Sequence, residues 1–405
     1  MKFPQRCTVT YDKHPLRSLI IRLCPRCQLC NKGLEATSPV MNPLPRPLEN
    51  KHGRQDDLLE HYNLHQRLGS GAYGVVYLAT QKSSGQHVAI KTIRHLDNPL
   101  VCRRTLREVR YLQGLKHENI ISLLDVARPN NIDSFSEACL IQEYMPQNLT
   151  QVIDKFELTE LQISYLTHQM FSGLQVIHSA GIIHRDLKPD NLLVGPNCEL
   201  KICDFGLARA QSRGGDRRPK MTEYVATRWY RAPEIMLSRY DKASDVWSSG
   251  CVLAQMLGGR VIFPGSNYAD QLCRIFDVLG SPTDDDLKRA RYSQKSIDYI
   301  RTALPFKART LWKDIFPKAS GDSLDLVDRL LTFNMYGRIT IEKALQHNFV
   351  RMWARPDDAS CKVSPTRQAF LDCGDVEVDN RAKGEYDATL APADDTLKLA
   401  RRSLR

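Results

Sequence analysis

The stretch "IIHRDLKPDNLLV" spans residues 182–194, and "LKICDFGLAR" follows at 200–209. Each is a short polar string set between apolar runs, which reads as a loop clamped at both ends by buried segments. Together they bring His184, Arg185, Asp186, Lys188, Asn191 and Asp204 within twenty-one residues. Asp186 and Asn191 stand five residues apart, and Asp204 precedes a flexible Phe205-Gly206. One carboxylate base and two oxygen ligands for a hard divalent ion are thereby offered. Phosphoryl transfer needs such a set: cations that spread charge on the transferred group, and a carboxylate that orients and deprotonates a hydroxyl. An ordinary polar loop between two strands requires none of it.

Upstream, "GSGAYGVV" places Gly69, Gly71 and Gly74 between strand-like runs. A strand-like segment rather than a helix follows, which points to a flap over phosphates and away from a dinucleotide fingerprint. Seventeen residues after Gly74, "VAIK" ends in Lys91, spaced so that an ammonium reaches phosphates under the flap. Glu108, in the helical "RRTLREVRYL", is available to hold Lys91 by an ion pair, although alone it reads more readily as an ordinary surface carboxylate. From His61 to Tyr144 the text is strand-like, with "VVYLAT" and "HVAIKTI" as β-branched runs and one helical interruption near 102–114. From about Leu149 to Val350 helical patterns dominate. Thr159 with Gln162 forms a capping box, and Leu166, Met170, Leu174 and Ile177 line one helix face. The fold class expected is α+β, a β-rich first lobe (61–144) and a larger helical second lobe (145–350), with the ligand site in the cleft between.

In order and spacing these motifs resemble those of eukaryotic protein kinases over roughly residues 62–350. The resemblance implies ATP and Mg²⁺. Lys91 would contact the α/β-phosphates and pair with Glu108, Asp186 would be the base, Lys188 would neutralise the γ-phosphate, and Asn191 and Asp204 would hold the metal. The nucleotide would lie against Leu68, Gly69, Ser70, Gly71, Ala72, Tyr73, Gly74, Val75, Val76 and Ala89, with Gln142 and Met145 of "CLIQEYM" at the adenine. Glu234 of "APE" would pair with Arg338 of "GRIT", and Asp245 of "SDVWSSG" resembles the buried helix acid that anchors the catalytic loop.

Between Asp204-Phe205-Gly206 and Ala232-Pro233-Glu234 lies "MTEYVATRWYRAPE" (221–234). Its Thr222-Glu223-Tyr224 resembles the mitogen-activated protein kinases, in the subclass called extracellular-signal-regulated, as do "IFPGSNYADQL" and "LGSPTDDDL". This likeness implies activation by phosphorylation of Thr222 and Tyr224 through an upstream dual-specificity kinase, Ser/Thr-Pro substrates, docking-motif partners, and a home in cytoplasm and nucleus. A phosphate adds about −1.5 to −2 charge and three acceptor oxygens, which guanidinium forks can receive. Arg107, Arg185 and Arg209 match the family's receivers for phosphothreonine, and Arg228 and Arg231 those for phosphotyrosine. Two departures stand out. Asp190 replaces the family's usual serine, and Arg355 stands in "MWARPDDAS" where an acid of the docking patch usually sits, beside Asp357 and Asp358.

The net charge of +11 is uneven, because residues 1–55 hold ten Lys/Arg against Asp12, Glu35 and Glu49. Residues 1–60 read as a disordered, Pro-containing basic arm, and 351–405 as a partly disordered tail. A nucleic-acid-binding protein has only the arm's charge in its favour. "CPRCQLC" (Cys24, Cys27, Cys30) is a poor zinc set without a fourth spaced ligand, and acylation there is a further alternative. The twelve cysteines read as buried thiols of a reducing compartment. No run approaches the ~20 apolar residues of a membrane span, so a soluble intracellular protein is expected. A catalytically silent scaffold is the competing function, disfavoured by intact Lys91, Asp186, Asn191 and Asp204.

Overall fold

In the computed structural model, residues 55–355 are described, apart from 72–73, 128–136, 212–227, 238–240 and 291. Period-two alternation builds a five-stranded antiparallel sheet from β1 (Tyr62–Gly71), β2 (Gly74–Gln81), β3 (His87–Ile93), β4 (Leu123–Val126) and β5 (Ala138–Glu143), in the order β1-β2-β3-β5-β4. Val88 and Ile90 of β3, Ala79 of β2 and Ile141 of β5 form a small apolar cluster on one face with Tyr62. The intervening positions therefore turn to the other face, where Ala89 is paired with Gln142 and Lys91 with Leu140. Lys91 thus sits mid-sheet on a central strand, directed away from the minor cluster.

The sequence assigns residues 55–60 to the arm, but Gln55–His61 form a helix, α1, running directly into β1. Leu58 packs against the minor cluster, and Lys82 donates to the Leu59 carbonyl (2.6 Å), which explains the order there. The helix expected near 102–114 is α2 (Pro99–Gly114), beginning earlier because Asn98 caps it and Pro99 occupies its first turn.

The second lobe follows as α3 (Leu149–Lys155), α4 (Glu160–Ser179), α5 (Pro233–Leu237), α6 (Lys242–Gly258), α7 (Tyr268–Leu279), α8 (Asp284–Arg289), α9 (Gln294–Ala303), α10 (Trp312–Ile315), α11 (Gly321–Leu330) and α12 (Ile341–Leu345). The capping box at Thr159 and Gln162 is present, and Leu166, Met170, Leu174 and Ile177 are buried. Short strands frame the two polar loops: β6 (Gln147–Asn148), β8 (Leu192–Val194) and β9 (Leu200–Ile202) form one sheet, and β7 (Ile182–Ile183) pairs with β10 (Arg209–Ala210). One apolar core continues from Ile93 and Leu112 through α4 and α6 to Val350. It extends past the boundary expected at 350, since Trp353 is buried and its indole donates to Ser164 (2.9 Å).

The Glu234–Arg338 pair is present and wholly buried. Arg338 donates from Nη1 (2.7 Å) and Nη2 (3.0 Å) to the two carboxylate oxygens and stacks over the Trp247 ring at 5.1 Å. Removing one partner strands a buried charge. Arg338→Ala is therefore expected to lower stability by about 3–5 kcal/mol, read as a fall in the urea midpoint with the slope retained.

Candidate active site

The loop between β7 and β8 is shaped by one carboxylate from below. Asp245, in the first turn of α6 and 1% exposed, accepts from the backbone N–H of His184 (2.8 Å) through Oδ2 and of Arg185 (2.9 Å) through Oδ1. The same Oδ2 is bonded to His178 Nε2 at 2.9 Å. Burial works to raise the Asp245 pKa, but the bond from His178, the nearby His178 and His184 rings and the Arg185 amide hold it below the ordinary value. These bonds support Arg185 at φ 71°, a left-handed conformation that costs a non-glycine residue about 1–3 kcal/mol.

The second loop carries a matching strain, with Asp204 at φ 62°. It is tied to the first through Cys203 N–H on the Asn191 carbonyl (2.9 Å) and through His184 Nε2 beside the Cys203 carbonyl (3.1 Å). Lys91 meets this loop and α2 together, its Nζ lying 2.6 and 2.9 Å from the Glu108 oxygens and 3.2 Å from Asp204 Oδ1. Burial disfavours the ammonium, but Asp204 and Glu108 raise its pKa above the ordinary lysine value. Lys91 in turn holds Asp204 below the ordinary aspartate value, while burial lifts Glu108. The charged forms of Lys91 and Asp204 are thereby stabilised.

Across the loop, Asp186 Oδ2 lies 3.0 Å from Lys188 Nζ. Burial raises the Asp186 pKa, opposed by Lys188. Asn191 Nδ2 donates to the Asp186 carbonyl (2.8 Å) and to Oδ2 (3.0 Å), which turns its own Oδ1 to the other side of the amide. An amide oxygen from Asn191 and a half-exposed carboxylate from Asp204 are hard donors that suit Mg²⁺.

The residues expected at the nucleotide divide between the two faces of the sheet. Val76 pairs with Lys91 and shares its face with Ala89 and Gln142, whereas Val75 alternates to the opposite face. The β1–β2 turn sets Gly69 opposite Val76, Ser70 opposite Val75 and Gly71 opposite Gly74, with Leu68 just before it on β1. A Cβ at Gly69 or Gly71 would meet no described residue within 4 Å, but one at Gly74 would collide with the Thr92 carbonyl. Gln142 is buried and its Nε2 has no hydrogen-bond partner among the described residues; Met145 follows, also buried. Ala72 and Tyr73 lie outside the described residues, as do Thr222 and Tyr224, the "CPRCQLC" cysteines, Asp357 and Asp358.

Of the five arginines, Arg107 Nη1 donates to the Gly206 carbonyl (3.1 Å), joining α2 to the second loop. Arg209 Nη1 folds onto the carbonyls of Leu207 (3.3 Å) and Ala208 (2.8 Å). Arg228 Nη1 donates to the Ser266 carbonyl (2.6 Å), and Arg231 Nη1 to the Tyr268 hydroxyl (2.8 Å). Arg185 and Arg231 line one pocket with Asp186, Lys188 and Tyr230. Sequence reasoning singles out neither His178 nor Tyr268: His178 belongs to no motif, a histidine in the last turn of a helix being its only signal, and Tyr268 lies inside "IFPGSNYADQL" with nothing that marks it there. Asp190 accepts from Thr150 Oγ1 (3.0 Å), and Arg355 is ion-paired to Glu118. Among the described residues no helix is long and apolar enough to cross a membrane.

The protein kinase domain family matches residues 62–350. The mitogen-activated protein kinase mpkB of Aspergillus fumigatus is 49% identical over 315 residues, covering 77% of this chain and 88% of that one. The mitogen-activated protein kinase spk1 of Schizosaccharomyces pombe is 45% identical over 332 residues, covering 81% and 89%. The extracellular signal-regulated kinase 1 of Candida albicans is 45% identical over 316 residues, covering 74% and 76%. With this match spanning both lobes and the cleft between them, the chain belongs to the protein kinase family, in its mitogen-activated branch, and is a serine/threonine protein kinase.

Proposed function

We propose that this kinase transfers the ATP γ-phosphate to serine or threonine followed by proline, and that it is switched on when an upstream dual-specificity kinase phosphorylates Thr222 and Tyr224. The observation that carries the transfer is the joining of Lys91, Glu108 and Asp204 within 3.2 Å, beside the loop that presents Asp186, Lys188 and Asn191. In this reading the substrate hydroxyl gives its proton to the Asp186 carboxylate as its oxygen bonds to phosphorus and the bond from the γ-phosphorus to the β,γ-bridging oxygen breaks. Burial raises the Asp186 pKa and makes it a better base than an exposed aspartate, and Lys188 opposes that rise. Lys188 also stands ready for the γ-phosphate oxygens, and Lys91, fixed by Glu108, for the α/β-phosphates. Asn191 and Asp204 would hold Mg²⁺, which supplies positive charge to the phosphate oxygens when bound.

The switch draws its support from the arginines. Arg107, Arg185 and Arg209 come from α2, the first loop and the second loop, and a phosphate received by all three would lock these elements together. Basic docking peptides would meet a weakened patch, because Arg355 neutralises Glu118 by the ion pair described above.

Asp186→Asn is expected to cut phosphate incorporation into a Ser-Pro peptide by roughly 10²–10⁴-fold while nucleotide analogues still bind; a wild-type chain equally silent would favour the scaffold. Folded Asp186 has a raised pKa, so kcat/KM falls as pH drops through it. Lys188→Met removes the opposing cation and should move that acid limb to higher pH, and a limb that stays put would remove Asp186 as its source. Thr222→Ala or Tyr224→Phe should each cost roughly a hundredfold of the activity gained with the upstream kinase, the scale of one or two charge-assisted hydrogen bonds. Mass spectrometry of both sites decides whether they are the ones modified. Arg355→Asp should tighten a basic docking peptide by about tenfold at low salt, and unchanged affinity by titration would discard the patch.

A further inference from the structure

Residues 228–231 are fastened to a single turn elsewhere in the lobe. Arg228 Nη1 donates to the Ser266 carbonyl (2.6 Å) and Trp229 Nε1 to the Gly265 carbonyl (3.1 Å), while Gln271 Nε2 returns to the Trp229 carbonyl (3.3 Å). That turn is itself stiff. Gln271 Oε1 accepts from Gly265 N–H (3.0 Å), Asn267 caps α7 through Asp270 N–H (2.9 Å), and a Cβ at Gly265 would collide with Gln271. Tyr268, the first residue of α7, meets both arginines. Its hydroxyl accepts from Arg231 Nη1 at 2.8 Å, and its ring lies 5.9 Å from the Arg228 guanidinium carbon.

We infer that Tyr268 is a positioning residue, which presets Arg228 and Arg231 as a paired receiver for a phosphate ester and so fixes the Arg231 wall of the pocket beside Asp186. This rests on the reading above, in which phosphotyrosine is the ester. Two guanidinium groups drawn to one phosphate repel each other and, on long side chains, lose rotamer freedom when they bind. The negative face of the Tyr268 ring offsets the charge of Arg228, and its hydroxyl oxygen offsets that of Arg231. Both forks are then held near one residue before any phosphate arrives. Because Tyr230 and Arg231 line the pocket that holds Asp186 and Lys188, a shift of Arg231 is felt by a peptide substrate as well.

The test uses the full chain phosphorylated on Thr222 and Tyr224, with Tyr268→Phe, Arg231→Ala and the double variant. Tyr268→Phe keeps the ring and loses only the hydroxyl. It is expected to raise the KM of a Ser-Pro peptide roughly tenfold, the scale of one hydrogen bond to a charged group, more than it lowers kcat. A tyrosine-specific phosphatase should strip its phosphotyrosine faster, with phosphothreonine removal by a serine/threonine phosphatase at the wild-type rate. Acting through Arg231, the substitution should add little once Arg231→Ala is present, and a thermal midpoint identifies any variant that is merely unstable. Wild-type peptide KM and phosphatase rates in Tyr268→Phe, or effects that multiply in the double variant, overturn the inference. A wild-type chain that gains no activity from tyrosine phosphorylation overturns the reading beneath it, and the inference with it.

Discussion

The Asp245 carboxylate is the constraint on which the site depends. It enters the core from the first turn of α6 with almost no solvent, so all its hydrogen-bonding capacity must be met by protein. Three donors do so, and two of them are consecutive amides of the loop that also carries Asp186. Neighbouring amides aimed at one carboxylate leave that backbone little conformational choice, and the left-handed Arg185 follows. A helix dipole adds to the arrangement, since an acid near a helix N-terminus is itself favoured. Backbone geometry at Arg185, next to Asp186, is therefore set by a residue sixty positions away.

A second balance operates one layer higher. Asp186, Asp204 and Glu108 bring three carboxylates into a small volume, where like charges would drive protonation. Lys91 and Lys188 divide them. Lys91 spans Glu108 and Asp204, and Lys188 lies against Asp186. The outcome is uneven. Asp204 is held in its ionised form, fit for a metal, while Asp186 is lifted toward proton affinity, fit for a hydroxyl. Environment gives two chemically identical side chains opposite shifts in acidity.

Much of this was legible in the primary structure. His184-Arg185-Asp186, Asp204-Phe205-Gly206 and the glycine turn are local strings, and strand alternation alone indicates that Lys91 faces with Ala89. Caps such as Thr159 with Gln162 are likewise local. The start of α2 was misjudged by a few residues because its first turn, Pro99 to Val101, lacks the apolar period and is set by Asn98 instead. His178 and Tyr268 stayed hidden for a different reason. Their contacts are distant in sequence, His178 across 67 residues and Tyr268 across 37 to Arg231, and no pattern within either segment encodes the partner. The order of residues 55–60 was missed similarly, since it depends on Leu58 finding a sheet face that forms later in the chain.

The glycines of the β1–β2 turn meet different surroundings. Gly74 is required by the fold, because any larger residue would displace the β3 backbone at Thr92. At Gly69 and Gly71 a side chain would meet no described residue within 4 Å, so packing places no demand for glycine there. Variants of one short hairpin would thus part ways, a Gly74 substitution costing folded protein and a Gly69 or Gly71 substitution sparing it.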